Sequence, residues 1–512
     1  MPASSNLGDL FDAASLSGRI ALIDTRHWEQ PRRYSYRELD ELANACGRGL
    51  RARGLAPGSA IAILSPNRAE FLLAYLGAMR AGLVAVPVNF RFAPDTIDYI
   101  MRDAQISLVF YDAHCRALLP PGIPSVCFDD DGPEGFWALI DPGPLSIVRP
   151  EHDQTAMVLY TSGSSGRPKG VPLSHDGQLW TVRTRTNAGR FDGETLLIAA
   201  PLFHMNGLGT AKFALAAGAT LVLLPRFEAK RYLEATGRFQ CTWLTGVPTM
   251  FALALRERGA LAQLDRACVR FVRMGSAPAT QQLIDAIKHA FPRAVVSLVY
   301  GTTESGPVAF GPHPQGRPKP DTAAGWPVAG VEVRFATAAM EAAGEGVLQI
   351  RTPATMRGYL NLPQKSREVL SADGWYTTGD VFRRSTDGCY AFAGRADDMI
   401  NCGGENIYPA EVEALLTRHP AIADAAVVGV ADDIKGAKPV AFIVLKSGAS
   451  LTEGEVKGFA LANAPAFQHP RRVTILRALP LGATDKVDRA ALRAMAKEHP
   501  VIAAPIPARS EP

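Results

Sequence analysis

The stretch YTSGSSGRPKGV, residues 160–171, decides how the whole chain is interpreted. It follows directly on the apolar run AMVLY and combines glycines with hydroxyl residues and one lysine, Lys169. Glycines let backbone N–H groups approach phosphate oxygens, hydroxyl groups add hydrogen-bond donors, and a lysine supplies positive charge. The stretch therefore predicts a phosphate-binding loop that begins where a buried strand ends.

Two other interpretations of this stretch fit it less well. A Walker A loop requires the pattern GxxxxGK[ST], whereas here Pro168 precedes Lys169 and Gly170 follows it, so the P-loop is excluded. A flexible surface linker is the second alternative, but a linker would not require the groups TSG, SSG and PKG in a fixed order. We therefore keep the phosphate-binding interpretation.

On either side of this loop, residues 10–395 alternate helix-like and strand-like segments. A helix is predicted over residues 36–53 and a strand over 59–65, followed by a helix over 70–81 and a strand over 84–90. This βαβα order indicates mostly parallel sheets with helices packed on their faces. Clusters of proline and glycine at 120–124 and 311–320 predict surface loops.

The character of the chain changes after residue 395. A helix is predicted over 409–418, strands over 425–431 and 440–446, and another helix from about Glu453, which together indicate a compact α+β unit. We therefore predict an α/β protein with a large N-terminal domain, residues 1–395, and a small C-terminal domain, residues 396–504. Residues 505–512 have too little apolar content to pack, which predicts a disordered tail.

Composition and charge exclude several classes of protein. The net charge of +4 is spread over 512 residues without a basic stripe, so we expect no nucleic-acid partner. Seven scattered cysteines without a CxxC pair fit neither a zinc site nor a disulfide framework. The longest apolar stretch, residues 205–224, is interrupted by Lys212, and no signal peptide is evident. We therefore expect a soluble, cytoplasmic protein with reduced thiols and no membrane span.

The stretch at 160–171 resembles the signature of the adenylate-forming superfamily, which comprises acyl- and aryl-CoA synthetases, peptide-synthetase adenylation domains and beetle luciferases. The resemblance recurs in order along nearly the whole chain, in segments 81–91, 201–209, 299–305, 373–380, 394–413 and 483–492. One such segment is a weak signal, whereas several in the family's order and spacing are specific. The resemblance implies an enzyme that activates a carboxylic acid with ATP, similar above all to the acid–CoA ligases, with a mobile C-terminal domain.

The resemblance also implies how ATP is bound. Tyr300 would stack on adenine, and Asp380 would accept hydrogen bonds from the ribose hydroxyls with help from Arg395. Glu304, together with Thr161, would hold the Mg²⁺ that bridges phosphate oxygens. Taken singly, these residues also have ordinary roles: Tyr300 in the core, Asp380 in a turn, Arg395 in a surface ion pair. The implied ATP and AMP site consists of Thr161, Ser162, Gly163, Ser164, Ser165, Gly166, Lys169, Tyr300, Gly301, Thr302, Thr303, Asp380 and Arg395.

Three residues are implied to be catalytic. Lys486 would serve the first step, because a carboxylate that attacks the α-phosphate brings two anions together and needs a positioned cation. The family commonly has a glycine before this lysine, whereas Asp485 stands there in this chain, which leaves the loop geometry open. His204 would lie between the acyl and thiol sites. The alternative is a core histidine whose ring nitrogens are hydrogen-bonded within the protein. Glu304 would act through the metal.

The C-terminal domain is implied to turn between two half-reactions. Asp397 resembles the hinge residue of that movement. Gly403, Gly404 and Glu405 would face the active site after the turn, and the small residues among them would leave a tunnel for the pantetheine arm of CoA.

The sequence disfavours some classes of acid substrate without naming one acid. Residues 203–208 contain no aspartate to pair with the α-amine of an amino acid, and residues 295–307 contain no tryptophan of the kind found in acetate-specific relatives. An apolar pocket of moderate size favours an aromatic or medium-chain acid, while Asn206 and Arg273 leave room for a polar or dicarboxylic acid. The implied acyl pocket consists of His204, Met205, Val247, Gly275, Ser276, Ala277 and Gly301.

The predicted reaction joins a small-molecule carboxylic acid to CoA with cleavage of ATP. The acid and MgATP give acyl-AMP and pyrophosphate, and the CoA thiol then gives the thioester and AMP. Two alternatives stay open: a stand-alone adenylating enzyme that loads the phosphopantetheine of a carrier protein, and a non-catalytic relative that only binds the nucleotide. The resemblance leaves a homodimer open.

Overall fold

The computed structural model describes residues 5–161, 167–187, 189, 191, 193–402, 405–432, 435–482 and 486–498. The predicted tail, residues 505–512, lies outside these ranges. Asp485 and several predicted site residues also lie outside them, namely Ser162, Gly163, Ser164, Ser165, Gly166, Gly403 and Gly404.

Strands occur along the whole described chain and are numbered in sequence order. They are β1 Ile20–Asp24, β2 Arg32–Ser35, β3 Ala60–Leu64, β4 Val84–Pro87, β5 Ile106–Tyr111, β6 Ser125–Cys127, β7 Thr155–Thr161, β8 Lys169–Ser174, β9 Thr195–Ile198, β10 Thr220–Leu223, β11 Trp243–Gly246, β12 Phe271–Met274, β13 Val295–Leu298, β14 Phe310–Gly311, β15 Trp326–Pro327, β16 Glu332–Phe335, β17 Glu345–Arg351, β18 Tyr376–Arg384, β19 Tyr390–Arg395, β20 Ile400–Cys402, β21 Glu405–Ile407, β22 Ile422–Asp432, β23 Gly436–Leu445 and β24 Arg472–Leu476.

Helices alternate with these strands. They are α1 Tyr36–Ala52, α2 Ala69–Arg80, α3 Pro94–Asp103, α4 Phe136–Leu139, α5 His175–Thr186, α6 Met205–Ala216, α7 Ala229–Arg238, α8 Pro248–Ala254, α9 Arg258–Gln263, α10 Gln281–Ala290, α11 Ala338–Ala343, α12 Pro363–Val369, α13 Pro409–Leu416, α14 Glu453–Asn463 and α15 Arg489–Glu498. Short 3₁₀ turns lie at Ala113–Leu118, Arg266–Cys268 and Ala466–Gln468.

Two large sheets hold the strands from β1 to β13. The first has the order β13-β12-β11-β9-β10-β1-β2, and its pairs are parallel except for β1 with β2. The second has the order β6-β5-β3-β4-β7-β8, and its pairs are parallel except for β7 with β8. The prediction of mostly parallel sheets with packed helices is therefore confirmed.

A two-stranded antiparallel ribbon, β14 with β15, and two smaller sheets follow along the chain. The third sheet, in the order β16-β17-β18-β19, is antiparallel and ends at Arg395. The last sheet begins at Ile400 and has the order β21-β20-β23-β22, with β24 parallel to β23. Helices α13 and α15 pack on β22, which gives the smaller α+β unit that the sequence predicts. Its bounds, 396–504, stay a prediction.

The first two sheets share one hydrophobic core because helices lie between them. Every residue of α2 is buried, and its neighbour α1 packs on it through Gly47 and Gly77. A Cβ atom built on Gly77 would lie 2.8 Å from the carbonyl oxygen of Ala43, so only glycine allows the two helices to approach so closely. Strand β3, AIAIL, is a continuous apolar run of the kind that parallel sheets covered on both faces require.

The predicted local elements agree with the structure to within a few residues. Helix α1 begins at Tyr36, as predicted, and Ser35 and Glu38 form a capping box there. Helix α2 begins one residue before its predicted range of 70–81, and α13 lies inside its predicted range of 409–418. All seven cysteines are free thiols. In the described part of the chain, no helix combines the length and the apolar character that crossing a bilayer requires.

Candidate active site

The predicted site residues meet in one cavity of about 1090 Å³. Its floor lies where the parallel strands β11, β12 and β13 end, because each is followed by cavity residues, and this edge of a parallel sheet is the usual place for ligands. The second sheet contributes Thr161 and Lys169, and the third and last sheets contribute further lining residues. The predicted residues that line it are Thr161, Lys169, His204, Met205, Val247, Gly275, Ser276, Ala277, Tyr300, Gly301, Thr302, Thr303, Glu304, Asp380, Arg395 and Lys486.

The phosphate-binding stretch joins two paired strands. Thr161 at the end of β7 lies opposite Lys169 at the start of β8 in the antiparallel register, and the Thr161 hydroxyl donates to the Lys169 carbonyl oxygen over 3.5 Å. The described part of this stretch therefore presents one hydroxyl and one ammonium group to the cavity. Residues 162–166 lie outside the described ranges.

Tyr300, Asp380 and Arg395 form one connected group. The Tyr300 hydroxyl donates to Asp380 Oδ2 over 2.5 Å, and Arg395 Nη1 lies 3.0 Å from Asp380 Oδ1. Strand pairing causes the second contact, because β18 and β19 place Asp380 directly opposite Arg395. Burial raises the pKa of Asp380, and both partners oppose that rise. Arg395 Nε also binds Asp397 Oδ1 over 2.9 Å, so the predicted hinge residue is linked to this group.

Glu304 is held by a tyrosine that the sequence analysis did not identify. The Tyr359 hydroxyl donates to Glu304 Oε1 over 3.1 Å, and Lys169 Nζ lies 4.6 Å from the centre of the Tyr359 ring. Burial is the largest influence on Glu304 and raises its pKa, while Tyr359 and Lys169 act in the opposite direction. Glu304 forms no ion pair within the described ranges, and a half-buried carboxylate that lines a cavity fits a hard cation such as Mg²⁺.

His204 is the residue that precedes α6. Its Nε2 is buried and has no hydrogen-bond partner among the residues that the structure describes. Burial lowers the pKa of His204 to about 3, with the positive charges of Lys486 and Arg91 as further causes. The imidazole is therefore neutral at physiological pH. His204 lines the cavity, and its place between the acyl and thiol sites and its role as a gate stay predictions.

Lys486 reaches the same cavity from the C-terminal unit. Its backbone is fixed by a short bridge, because the Gly482 amide donates to the Lys486 carbonyl oxygen over 2.7 Å and Leu481 pairs with Val487. Loss of hydration in the cavity lowers the pKa of Lys486; Asp380 raises it and Arg395 lowers it further. Lys486 is therefore close to both the predicted ribose-binding pair and His204.

The predicted acyl pocket is tightly packed at Gly301. A Cβ atom on Gly301 would lie 2.5 Å from the carbonyl carbon of Pro307, so no side chain fits there. Ser276 adopts φ +67, a left-handed conformation that non-glycine residues rarely take, and its hydroxyl accepts from Asn206 Nδ2 over 3.2 Å. Two arginines, Arg185 and Arg273, also line the cavity, so the predicted apolar residues are not its whole lining.

Some predicted residues lie away from the cavity. Neither Asp397 nor the exposed Glu405 lines it, while Gly403 and Gly404 are outside the described ranges. Conversely, the C-terminal unit contributes lining residues that the sequence analysis missed, because nothing in the sequence links them to the ATP motifs. These are Ala410, Glu413, Ala414, Thr417, Ala423, Asp424, Ala425, Lys446, Val487 and Arg489.

Comparisons with known proteins agree with this arrangement. Residues 12–360 match the family model of the AMP-binding enzyme, and residues 411–486 match that of the AMP-binding enzyme C-terminal domain. The chain is 30% identical to 4-coumarate–CoA ligase 2 of Solanum tuberosum, with 94% of this chain and 92% of that protein covered. It is also 30% identical to the mitochondrial medium-chain acyl-CoA ligase ACSF2 of Mus musculus, with 91% and 84% covered.

A solved structure shows the same fold. The crystal structure of the anthranilate CoA ligase AuaEII in complex with anthranoyl-AMP has a TM-score of 0.88 to this chain at 27% identity, with 97% of this chain and 98% of that chain covered. The chain therefore belongs to the AMP-binding enzyme family, the adenylate-forming superfamily, and is an AMP-forming acid–thiol ligase.

Proposed function

We propose that this protein is an ATP-dependent carboxylic acid–CoA ligase that acts through an acyl-AMP intermediate and releases AMP and pyrophosphate. The observation that carries the proposal is the position of Lys486. It comes from the C-terminal unit, yet it lines one cavity with the candidate nucleotide residues Tyr300 and Asp380 and with the candidate acyl residue His204.

In the first step the acid's carboxylate attacks the α-phosphate of ATP and pyrophosphate leaves. Lys486 places a cation where the negative charges of both reactants meet, and such a preorganised charge lowers the barrier to the transition state. Tyr300 would lie against the adenine, with Asp380 accepting hydrogen bonds from the ribose. Glu304 and Thr161 would hold Mg²⁺, which neutralises phosphate charge when it is bound.

In the second step the thiolate sulfur of CoA attacks the acyl carbon and AMP leaves. His204, which is neutral and packed against Phe203 with ring centres 4.9 Å apart, would separate the acyl group from the incoming thiol. Asp397 would be the pivot of the C-terminal unit, which would bring Gly403, Gly404 and Glu405 to the cavity in place of Lys486.

The acid is proposed to have an aromatic or medium-chain body. The relatives named above are a 4-coumarate, a medium-chain acyl and an anthranilate CoA ligase, and the chain is about equally similar to the first two. Met205, Val247 and Ala277 offer apolar surface of suitable extent in the cavity.

The test is a panel of aromatic, straight-chain and dicarboxylic acids, each incubated with the purified enzyme, MgATP and CoA. We expect CoA-dependent AMP formation with at least one acid, and pyrophosphate exchange with the same acid when CoA is left out. If an acid supports pyrophosphate exchange but adding CoA produces no AMP, the proposal that CoA is the acceptor is wrong. A phosphopantetheinylated carrier protein would then be tested as the acceptor. No exchange with any acid would contradict the proposed function.

A further inference from the structure

Arg185 is a buried cation that lines the cavity. It lies on α5 with 9% of its surface exposed. Its Nη1 donates to the carbonyl oxygen of Gly209 over 2.9 Å, its guanidinium lies 4.2 Å from the centre of the Phe213 ring, and its Nε has no partner. Within the described ranges it forms no ion pair, so its charge is buried without a counter-charge.

Two further cations surround the same place. Arg273 on β12 also lines the cavity without an ion-pair partner in the described part of the chain, and burial lowers its pKa to about 10. Lys212 on α6 is 2% exposed and donates to Gln178 Oε1 over 2.6 Å. Burial, and then the charge of Arg185, lower the pKa of Lys212 to about 7. Arg185 therefore lies between two like charges, because Arg273 also lowers the pKa of Arg185.

Another buried arginine of this chain, Arg68, has the carboxylate partners that Arg185 lacks within the described ranges. Arg68 is 2% exposed and contacts three carboxylates, Glu70 at 2.9 Å, Asp112 at 2.8 Å and Asp129 at 2.9 Å. Burying a charge is costly unless an opposite charge compensates it. Arg185 lacks such a partner but faces a cavity, which indicates that the missing anion comes from a ligand.

The nucleotide is not the natural source of this anion. The cations beside the candidate nucleotide residues are Arg395, with Nη1 3.0 Å from Asp380 Oδ1, and Lys169, which lies over the ring of Tyr359, the partner of Glu304. Within the described ranges, neither Arg185 nor Arg273 forms an ion pair with Asp380 or Glu304. Arg185 instead binds the backbone of α6 at Gly209, one turn beyond Met205 of the acyl pocket. The paired arginines therefore lie at the acyl end of the cavity.

We infer that the acid substrate carries a second anionic group, in the simplest case a second carboxylate, which Arg185 and Arg273 bind at the far end of the acyl pocket. This inference rests on the proposed function and names the substrate class of the same site. The carboxylate that reacts with ATP lies towards Lys486, and the apolar body of the acid spans the distance to the arginines. Guanidinium groups suit this task because they bind carboxylates with two hydrogen bonds.

The test compares each dicarboxylic acid with its own monomethyl ester, which adds only one methyl group and removes one charge. Suitable probes are malonate, succinate, glutarate, adipate and the three benzenedicarboxylates, with CoA-dependent AMP formation as the measurement. For the best diacid, we expect kcat/KM to exceed that of its ester by at least about 100-fold, as is usual when a site is built to pair a polar substrate group.

Three variants identify the residues. Arg185→Met should lower kcat/KM for the diacid by about 100-fold and change that for the ester by less than about fivefold, because only the diacid loses a charge partner. Arg273→Met is measured in the same way, so that the result does not depend on one variant folding. Arg183→Met is the matched control, since Arg183 is exposed on the same helix, and it should change neither value.

A melting measurement separates ligand recognition from a structural role. Without ligand, Arg185→Met should melt at the same temperature as the wild type or higher, because an apolar side chain removes an uncompensated buried charge. Added diacid should stabilise the wild type but not this variant. The inference would be overturned if the enzyme preferred monocarboxylic acids. It would also be overturned if Arg185→Met lowered kcat/KM equally for diacid and ester, or if this variant melted at a markedly lower temperature than the wild type. If no acid of any kind supports AMP formation, the proposed function itself has failed.

Discussion

At the scale of single residues, Glu304 is the group on which the proposed Mg²⁺ site depends. Its carboxylate accepts one hydrogen bond, from Tyr359, and has no ion-pair partner in the described ranges, while burial raises its pKa. A raised pKa means that the protein alone makes ionisation of Glu304 harder. A divalent cation that contacts the carboxylate would reverse this by favouring the charged form.

Glu304→Gln should therefore weaken the dependence of adenylation on Mg²⁺ without unfolding the protein. We expect the Mg²⁺ concentration for half-maximal pyrophosphate exchange to rise by about tenfold or more, since a neutral amide is a poorer ligand for a hard cation. Tyr359→Phe is the control, because it removes the hydrogen bond and keeps the carboxylate. An unchanged Mg²⁺ dependence in Glu304→Gln would show that Glu304 does not hold the metal.

The state of His204 gives a second prediction at this scale. With a pKa of about 3, the imidazole is protonated only below that pH and is neutral throughout the range in which the enzyme can be assayed. The pH profile of kcat/KM for adenylation should then have the same shape between pH 5 and 8 in the wild type and in His204→Phe. A limb near pH 6.5, the ordinary histidine value, that disappears in His204→Phe would contradict a neutral spacer role.

At the scale of elements, an ion pair connects the third sheet to the C-terminal unit. Arg383 on β18 binds Glu345 on β17 over 2.8 Å and also pairs with Glu411 on α13. Gln468 donates to the second oxygen of Glu411 over 3.2 Å. This contact helps to hold the arrangement in which Lys486 lines the cavity, but such partly exposed pairs contribute at most about 1 kcal/mol.

Glu411→Gln should accordingly slow adenylation by no more than about fivefold, which corresponds to the loss of about 1 kcal/mol from the docked arrangement. It should leave thioester formation from supplied acyl-AMP unchanged or slightly faster. Glu345→Gln removes the other partner of the same arginine within one sheet and serves as the control. Single-turnover rates decide the outcome, and an equal effect of both variants on both steps would exclude a role for the Arg383–Glu411 pair in docking.

Elements were predictable from the sequence because they depend on local periodicity. The runs that became α1, β3, α2 and β23 carry their own helix or strand pattern, and the motif order placed His204, Glu304 and Lys486 in one cavity. Tyr359 could not be predicted as the partner of Glu304, because that contact joins residues far apart in the chain. The burial of Arg185 could not be predicted either, because arginine side chains on helices ordinarily face solvent.

At the scale of the whole molecule, the two parts of the chain meet in the arrangement that we propose for the first half-reaction. Lys486 lines the cavity, whereas Glu405, the described member of the predicted thiol tunnel, does not. Ion pairs on both sides of the predicted hinge support this arrangement, with Asp397 bound to Arg395 and Asp398 bound to Arg493. The domain bounds and the turn about Asp397 stay predictions, because a single arrangement does not test them.

The measurement that tests this account most directly is the single-turnover rate of each half-reaction in Lys486→Ala. Adenylate formation should slow by roughly 10²–10³-fold or more, since one preorganised charge partner contributes about 3–4 kcal/mol to the transition state. Conversion of supplied acyl-AMP and CoA to thioester should barely change. Lys497→Ala, at an exposed position of α15, is the control and should affect neither step. Surviving adenylation would show that Lys486 is not the catalytic lysine, and an equal failure of both steps would contradict the two-conformation account.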